Sequence, residues 1–234
     1  QDQNVRKAIE MGIDKEGFCS VIMEGRGLPA KGAFPSSFSY GNDAVETVSY
    51  DPDGAKELLE ESGWTDTDGD GYVDKDGQKL TINWLTYPTR LEQPKLAEYA
   101  QATLKDIGID VVVNNTADHK TFAESGDFDV YVSSLTTAPT GDPEYFFTST
   151  VTGAKNYGNY QNDEVTKLTE QLHQTFDTDE RGKLAIELQQ KILDDDAYFF
   201  VSHLNMGIVT KSNVTGMAAH PCDYYEITAD LDVE

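Results

Sequence analysis

The segment WTDTDGDGYVDKDGQKL, residues 64–80, places carboxylates at alternate positions, a spacing that can bind a hard cation. Counted from Asp66 as position 1, aspartates stand at positions 1, 3, 5 and 9, a glycine stands at 6, and position 7 offers a backbone carbonyl. This order matches the first nine positions of an EF-hand calcium loop, in which the glycine permits a sharp turn. The predicted metal ligands are Asp66, Asp68, Asp70, the carbonyl of Tyr72, and Asp74.

The end of that segment favours a second interpretation. Position 12 is Gly77, where an EF-hand carries a bidentate glutamate, and the pattern that follows is a strand instead of an exiting helix. Aspartate and glycine also satisfy tight turns without any metal. The segment is therefore either a weak structural Ca²⁺ site or a hairpin-like connection between Trp64 and the strand at Leu80. We expect no other cofactor.

The segment TTAPTGDPEYFF, residues 136–147, is a candidate binding element. It offers hydroxyl groups, one carboxylate and flat aromatic rings, a mixture typical of small-ligand pockets. Alternatively, Asp142 caps a helix that begins at Pro143 and the aromatic residues belong to the core, and both interpretations can hold together. The predicted ligand-binding residues of this segment are Thr136, Thr137, Pro139, Thr140, Asp142 and Tyr145.

The sequence carries no recognisable catalytic arrangement. Its four histidines lie in unrelated contexts, and the sequence patterns of zinc proteases, serine hydrolases, P-loop NTPases and dinucleotide-binding enzymes are missing. We therefore expect a binding protein and not an enzyme. His173 is predicted on a helix surface, and His203 lies in an apolar strand, where core histidines outnumber ligands. Tyr157 and His203 complete the ligand-binding candidates as the weaker ones.

Net charge and composition exclude several classes of partner. With 18 basic and 42 acidic residues, the chain has a formal charge of −24, which repels nucleic-acid phosphates and anionic lipid headgroups. The same charge favours a soluble monomer, and an aromatic content of 10% argues against a disordered acidic tail. The two cysteines, Cys19 and Cys222, permit either one disulfide or two free thiols.

Apolar periodicity predicts an alternation of helices and strands. Expected helices lie over 4–12, 13–25, 51–63, 94–108, 119–125, 162–176 and 178–194, and expected strands over 79–87, 109–115, 128–135 and, as a pair, 197–211. Residues 25–49 are predicted to form a long ordered loop, and Phe176 is placed on the inward stripe of its helix.

The succession strand, helix, strand over 79–115 is a βαβ unit, which requires two parallel strands. The next helix and strand repeat it. The fold class is therefore α/β, with a mixed, mostly parallel sheet flanked by helices. Open sheets of this kind bind ligands at the carboxyl ends of their strands, and residues 136–147 begin at such an end.

The chain resembles, in the order of its segments, the carboxyl-terminal half of the family 5 extracellular solute-binding proteins. The matching segments are VRKAIEMGIDKEGF, GLPAKGAFP, YDPDGAKELLEESGWTDTDGDGYVDKDGQKLTINW, PTGDPEYFF, NYGNYQNDEVTKL and ERGKLAIELQQKILDDDAYFFVSHLN. The resemblance implies a periplasmic-binding-protein type II lobe over residues 1–220. It also implies that the tail, residues 221–234, returns to the first lobe of a longer protein.

Members of this family are the peptide, dipeptide and nickel receptors of ABC importers, so the resemblance implies a ligand held between two lobes and delivered to a membrane permease. It places the protein outside the cytoplasm, in the periplasm or as a cell-surface lipoprotein. The opening residues QDQNVRKAIE have no basic region followed by an apolar one, so we expect that the signal sequence and the first lobe are not part of this chain.

The resemblance also bears on the ligand. Peptide receptors of the family often carry a tryptophan and an aspartate where this chain has Thr136 and Pro139, and the segments APTGDP and HPCDYYEIT are more similar to the nickel-receptor branch. The leading hypothesis is therefore a nickel chelate, and the alternative is an oligopeptide or dipeptide. More distant alternatives are a calcium-stabilised interaction module similar to dockerins, suggested by the aspartate segment alone, and a hydrolase.

Overall fold

The computed structural model describes residues 2–219 and 227–234, so His220, Cys222 and the first six residues of the predicted tail lie outside the described residues. The helices are α1 (Gln3–Met11), α2 (Lys15–Gly17, continued as a π-helical turn over Phe18–Ile22), α3 (Pro52–Glu61), α4 (Glu92–Lys105), α5 (His119–Ser125), α6 (Glu144–Phe146, continued as a π-helical turn over Phe147–Val151), α7 (Asp163–Gln174) and α8 (Thr178–Asp194). The strands are β1 (Gly27–Pro29), β2 (Asp74–Lys75), β3 (Gln78–Lys79), β4 (Thr81–Thr86), β5 (Asp110–Asn115), β6 (Val130–Tyr131), β7 (Ser202–Leu204), β8 (Val214–Thr215) and β9 (Asp232–Val233).

A three-stranded parallel sheet carries the fold, with β4 in the centre, β5 on one side and β6 on the other. The predicted βαβ unit is confirmed, because β4 pairs with β5 in parallel from Thr81 opposite Asp110 to Thr86 opposite Asn115. Three antiparallel ribbons, β1–β7, β2–β3 and β8–β9, complete the strand pairing of the described residues. The α/β class with a mostly parallel sheet is therefore correct.

Burial alternates along the first four residues of β4, as the sequence predicts. Ile82 and Trp84 are buried while Thr81 and Asn83 are exposed, which assigns one face of the sheet to the core. Helix α4 packs on that face with an apolar stripe. The buried residues of the stripe are Leu96, Ala97, Ala100 and Leu104.

Several helix ends follow the capping residues in the sequence. The side chain of Asp51 accepts the backbone N–H of Gly54, and Pro52 occupies the first turn of α3, where its missing N–H costs nothing. Gly63, at φ 83°, ends that helix in a left-handed conformation that glycine adopts without strain. Asp177 caps α8 by accepting the backbone N–H groups of Asp179 and Glu180.

Four predicted features differ from the structure. The strand expected over 128–135 is limited to β6, because the chain turns away to form the next loop. The pair of strands expected over 197–211 is one short strand, β7, which pairs antiparallel with β1, and β1 lies in the segment predicted to be an ordered loop. Phe176 is 91% exposed, since α7 ends at Gln174 and the residue lies beyond the inward stripe.

Two hydrophobic clusters divide the core. The first combines the parallel sheet with α1, α3 and α4, and the second combines α6, α7 and α8 with Phe34 from the long loop over 25–49. Phe34 is fully buried and makes edge-to-face contacts with Phe146 and Phe147, at ring-centroid distances of 6.0 Å in both cases. The second cluster therefore supports the end of residues 136–147. Among the described residues, no helix combines the length and apolar character needed to cross a bilayer.

Candidate functional site

The three parallel strands end along one edge of the sheet, where open α/β sheets hold their ligands. Thr86, Asn115 and Tyr131 are the last residues of β4, β5 and β6. The ladder continues one residue further on both sides of β4, since Thr116 N donates to Thr86 O at 3.0 Å and Val132 N donates to Leu85 O at 3.0 Å. The segments that leave these strands therefore emerge side by side.

Four aromatic side chains meet at this edge, and we call Tyr87, His119, Tyr131 and Tyr157 the carboxyl-edge cluster. The rings of Tyr87 and His119 stack at 4.2 Å between centroids with a 24° interplanar angle. His119 Nδ1 lies 2.8 Å from the hydroxyl of Tyr131, whose ring meets that of Tyr157 edge-on at 5.8 Å. Ser134 N donates to the Tyr87 hydroxyl at 3.2 Å, which connects the cluster to the chain that follows β6.

Two members of the carboxyl-edge cluster, His119 and Tyr131, are uncharged at neutral pH. Burial, with a smaller contribution from the Lys120 ammonium, lowers the pKa of His119 below its usual value, so the imidazole is neutral at pH 7. Burial raises the pKa of Tyr131 to about 12, so its hydroxyl keeps its proton. A neutral imidazole next to phenol groups offers hydrogen bonds and flat apolar surface together, a combination suited to small-molecule recognition.

The 136–147 loop follows β6 and is fastened to the long loop over 25–49. Thr137 Oγ1 donates to Ala33 O at 2.9 Å, and the Tyr40 hydroxyl donates to Gly141 O at 2.7 Å. Gly141 has φ 79°, a left-handed conformation that favours glycine, and so allows the turn just before Asp142. The loop is therefore an ordered element at the carboxyl edge of the sheet.

Asp142 is held by Arg181 of α8. Arg181 Nε and Nη2 donate to the two carboxylate oxygens of Asp142 at 2.8 and 2.6 Å, and Nη2 also donates to Glu144 at 2.8 Å. Burial would raise the pKa of Asp142, but the Arg181 hydrogen bonds and the Glu144 backbone N–H outweigh it and hold that pKa below its usual range. Asp142 also accepts this N–H at 2.9 Å, as predicted for a cap, although the helix begins at Glu144 and not at Pro143.

The other predicted residues of the loop differ in exposure. Thr136, Thr140 and Tyr145 are exposed, and Tyr145 accepts a hydrogen bond from Lys155 Nζ at 3.1 Å. Pro139 is buried. Thr136, Thr140 and Tyr145 are therefore accessible from solvent, whereas Pro139 is not.

Of the weaker candidates, Tyr157 joins the carboxyl-edge cluster, while His203 lies on the β1–β7 ribbon. His203 Nε2 is 3.4 Å from Asn42 Oδ1, and burial lowers the pKa of His203 to about 4, so this partly buried imidazole is neutral. Sequence reasoning missed Tyr87, His119 and Tyr131. The signal that identifies them is their place at or after the ends of predicted strands.

Three of the predicted metal ligands converge. Carboxylate oxygens of Asp66, Asp68 and Asp74 all lie within 4.8 Å of one another. Asp70 instead forms an ion pair with Lys79 at 2.6 Å, and this ammonium also lies 4.2 Å from the centre of the Tyr72 ring. The donor set that the structure assembles is therefore three carboxylates, which are oxygen ligands suited to Ca²⁺.

The end of the same segment is a β-hairpin, as the second interpretation predicts. Strands β2 and β3 pair antiparallel, with Lys75 opposite Gln78, and the two residues between them are Asp76 at φ 54° and Gly77 at φ 73°. Two positive φ angles are typical of a type I′ turn, which favours Asp-Gly. Gly77, at the position of the missing twelfth ligand, is therefore used by the turn.

Comparisons with known proteins agree on the family. Residues 1–158 match the sequence model described as "Bacterial extracellular solute-binding proteins, family 5 Middle". The chain is 31% identical to the oligopeptide-binding protein AppA of Bacillus subtilis, covering 97% of this chain and 43% of that protein. It is 26% identical to the nickel-binding protein NikA of Staphylococcus aureus, covering 99% and 46%, and 26% identical to heme-binding protein A of Haemophilus influenzae, covering 97% and 41%.

Solved structures give the same result. AppA of Bacillus subtilis in complex with a nonapeptide superposes with a TM-score of 0.78 at 27% identity, over 94% of this chain and 45% of that one. NikA of Staphylococcus aureus in complex with Ni(L-His)₂ superposes with a TM-score of 0.80 at 25% identity, over 99% and 48%. The chain thus spans a little under half the length of these relatives. It belongs to family 5 of the bacterial extracellular solute-binding proteins, with the fold of a type II periplasmic-binding-protein lobe.

Proposed function

We propose that this chain is the second lobe of a longer, non-catalytic receptor that captures a small ligand and delivers it to an ABC importer. The observation that carries the proposal is the carboxyl-edge cluster beside the 136–147 loop, at the edge of the sheet where lobes of this kind receive ligands. The proposed contacts are the exposed Thr136, Thr140 and Tyr145 together with the cluster. On this proposal Thr137, Pro139 and Asp142 shape the loop from within.

The electrostatics of the edge favour a metal chelate, with nickel as the leading cargo. Asp142 and Glu144 are the acidic residues of the 136–147 loop, and both are paired with Arg181. Neither carboxylate is therefore free to receive the amino terminus of a peptide. Neutral hydroxyl, phenol and imidazole groups suit the organic shell of a chelate, and a relative binds Ni(L-His)₂.

An oligopeptide is the second candidate, because the relative with 31% identity is an oligopeptide-binding protein whose structure contains a nonapeptide. Hydroxyl and aromatic groups also suit peptide backbone and side chains. Under this alternative the first lobe would supply the charge that fixes the peptide amino terminus.

Calorimetry of the complete natural polypeptide distinguishes the two ligands. The probes are nickel alone, nickel with two equivalents of L-histidine, and a mixture of oligopeptides. The chelate proposal expects heat with nickel and histidine together and little with nickel alone. Heat with peptides only would establish the second candidate, and binding of neither would refute the receptor proposal for these ligands.

The remaining properties of the receptor are proposals drawn from the family and the charge. We propose a monomer located outside the cytoplasm, with a membrane permease as its partner. We also propose that Asp66, Asp68 and Asp74 hold a structural Ca²⁺, which would stabilise the connection between α3 and β4.

A further inference from the structure

Arg181 uses every nitrogen of its guanidinium group. Besides the three hydrogen bonds to Asp142 and Glu144, Nη1 donates to Leu172 O at 2.7 Å and to Thr175 O at 2.6 Å. The side chain is only 13% exposed. Because the group is planar and bears its donors in a fixed fork, these bonds fix the relative position of all four acceptor residues.

The acceptors of Arg181 belong to two different parts of the lobe. Leu172 and Thr175 lie at the carboxyl end of α7, where helices leave carbonyl groups without helical partners. Asp142 and Glu144 lie at the end of the 136–147 loop and the start of α6. Arg181 therefore fastens the loop to the α7–α8 pair, with all of its partners distinct from the exposed ligand contacts.

We propose that Arg181 is a positioning residue for ligand binding: it holds the 136–147 loop in the arrangement that receives the ligand. This inference rests on the proposed function. Further fastenings of the loop include neutral hydrogen bonds from Thr137 and Tyr40, which are weaker than the charge-assisted pair at Asp142. His173 Nδ1 of α7 also lies 2.6 Å from Glu144 Oε1. Loss of the Arg181–Asp142 pair allows the backbone that carries Thr136 and Thr140 to sample other arrangements.

Lysine at position 181 keeps the charge but cannot form the fork. When only a fraction of molecules is competent to bind, the apparent Kd rises by the inverse of that fraction. If the freed loop is correctly placed about one time in ten, the Arg181→Lys variant binds roughly tenfold more weakly. Glu144→Gln, which weakens one arm of the fork together with the Glu144–His173 contact and changes none of the proposed ligand contacts, is expected to give a smaller loss in the same direction.

Arg6 offers a matched control because it forms a similar clamp elsewhere. Its Nε donates to Asp196 O at 2.9 Å and its Nη2 donates to Asp195 O at 2.9 Å, at the carboxyl end of α8. Like Arg181, it is partly buried and caps a helix end. Arg6→Lys is therefore expected to lower stability while leaving ligand affinity unchanged.

The test measures affinity and local exchange in the complete natural polypeptide. Calorimetry with nickel–histidine and with an oligopeptide mixture compares wild type, Arg181→Lys, Glu144→Gln and Arg6→Lys, and hydrogen exchange follows the backbone amides of residues 136–142. We expect weaker binding and faster exchange in Arg181→Lys and Glu144→Gln, and neither effect in Arg6→Lys.

Two results would overturn the positioning role: affinities of Arg181→Lys and Arg6→Lys that agree within a factor of two, or loop exchange that is the same in both. If Arg181→Lys does not fold, Glu144→Gln decides by the same criteria. Failure of the wild type to bind either probe would refute the proposed ligands, whereas the exchange comparison would still decide whether Arg181 orders the loop.

Discussion

Substituting Lys15 by methionine is expected to destabilise the chain by about 3 to 5 kcal/mol, because it leaves a buried carboxylate without its counter-ion. Lys15 Nζ lies 2.7 Å from Glu10 Oε1, and the two side chains are 9% and 3% exposed. The same oxygen accepts a hydrogen bond from Thr47 Oγ1 at 2.7 Å, and the ammonium also donates to Ala30 O at 3.3 Å. The pair therefore fastens both ends of the long loop over 25–49 to α1 and α2.

The magnitude follows from burial. Methionine has a length similar to that of lysine, so the main cost of the substitution is the Glu10 charge left uncompensated in the interior. For a chain of this size, about 1 kcal/mol shifts Tm by about 2 to 4 °C, so the expected fall in Tm is roughly 6 to 20 °C. Adding Glu10→Leu to the Lys15→Met variant should recover most of the loss, because it removes the unpaired charge.

Urea unfolding followed by tryptophan fluorescence measures this change, since Trp84 is fully buried in the core cluster. The matched control is Lys31→Met. Lys31 pairs with Glu46 at 3.2 Å, but these side chains are 45% and 81% exposed, so the loss should stay below about 1 kcal/mol. Equal losses for Lys15→Met and Lys31→Met would refute the reasoning that burial makes the first pair important.

Three further outcomes are expected. At constant ionic strength, which keeps general screening of the −24 charge equal in all samples, Ca²⁺ should raise Tm, and Asp68→Ala should abolish the rise. A rise that persists in the variant would contradict the site. The pKa values of Asp142 and Glu144 are held below their usual range, so their pairing with Arg181 stabilises the fold fully above the pKa values of the unfolded chain. This stabilisation is lost as pH falls below about 4. In melts at decreasing pH, the Tm of Asp142→Asn should therefore fall less steeply than that of wild type. NMR titration of His119 should give a pKa below its usual value, and Tyr131→Phe, which removes the partner of Nδ1, should weaken ligand binding measured by calorimetry.

Elements whose causes are local could be predicted from the sequence. Helix α3 carries its cap, its first-turn proline and its terminal glycine within thirteen residues, and β4 shows its buried face by simple alternation. The βαβ unit follows from these elements and from chain connectivity. The prediction of a strand over 128–135 was wrong beyond Tyr131, because the apolar pattern in the sequence continues past the point where the chain leaves the sheet.

Only part of the candidate site could be predicted from the sequence, and the reason is physical. The 136–147 loop and Tyr157 have chemistry that is visible in the sequence, whereas the roles of Arg181 and Lys15 depend on partners that the fold brings from elsewhere. Arg181 is 39 positions from Asp142. On an amphipathic helix, a charged residue that will form a buried ion pair occupies the same kind of sequence position as one that faces solvent, so the pattern does not distinguish them.

In the aspartate segment, too, the spacing of residues in the sequence does not show which partners the fold brings together. Spacing alone assigned Asp70 to the metal, but the hairpin brings Lys79 beside it and forms an ion pair there. The hydrogen bond with Lys79 and the backbone N–H of Tyr72 lower the pKa of Asp70. A motif of alternate carboxylates therefore predicts a cluster, while the strand pairing decides which carboxylates remain in it.

Three basic residues of this acidic chain hold irregular segments and helix ends in place, and one of them supports the candidate site. Arg181, Lys15 and Arg6 all lie buried or partly buried, and each joins an irregular segment or helix end to a distant element. Such segments have no ladder of their own, so their positions depend on side-chain hydrogen bonds. In a chain with −24 net charge, a cation in the interior also relieves repulsion between the carboxylates around it. The 136–147 loop therefore owes part of its order to Arg181, and a substitution there should affect binding without altering any group proposed to touch the ligand, whereas a substitution at Arg6 should lower stability alone.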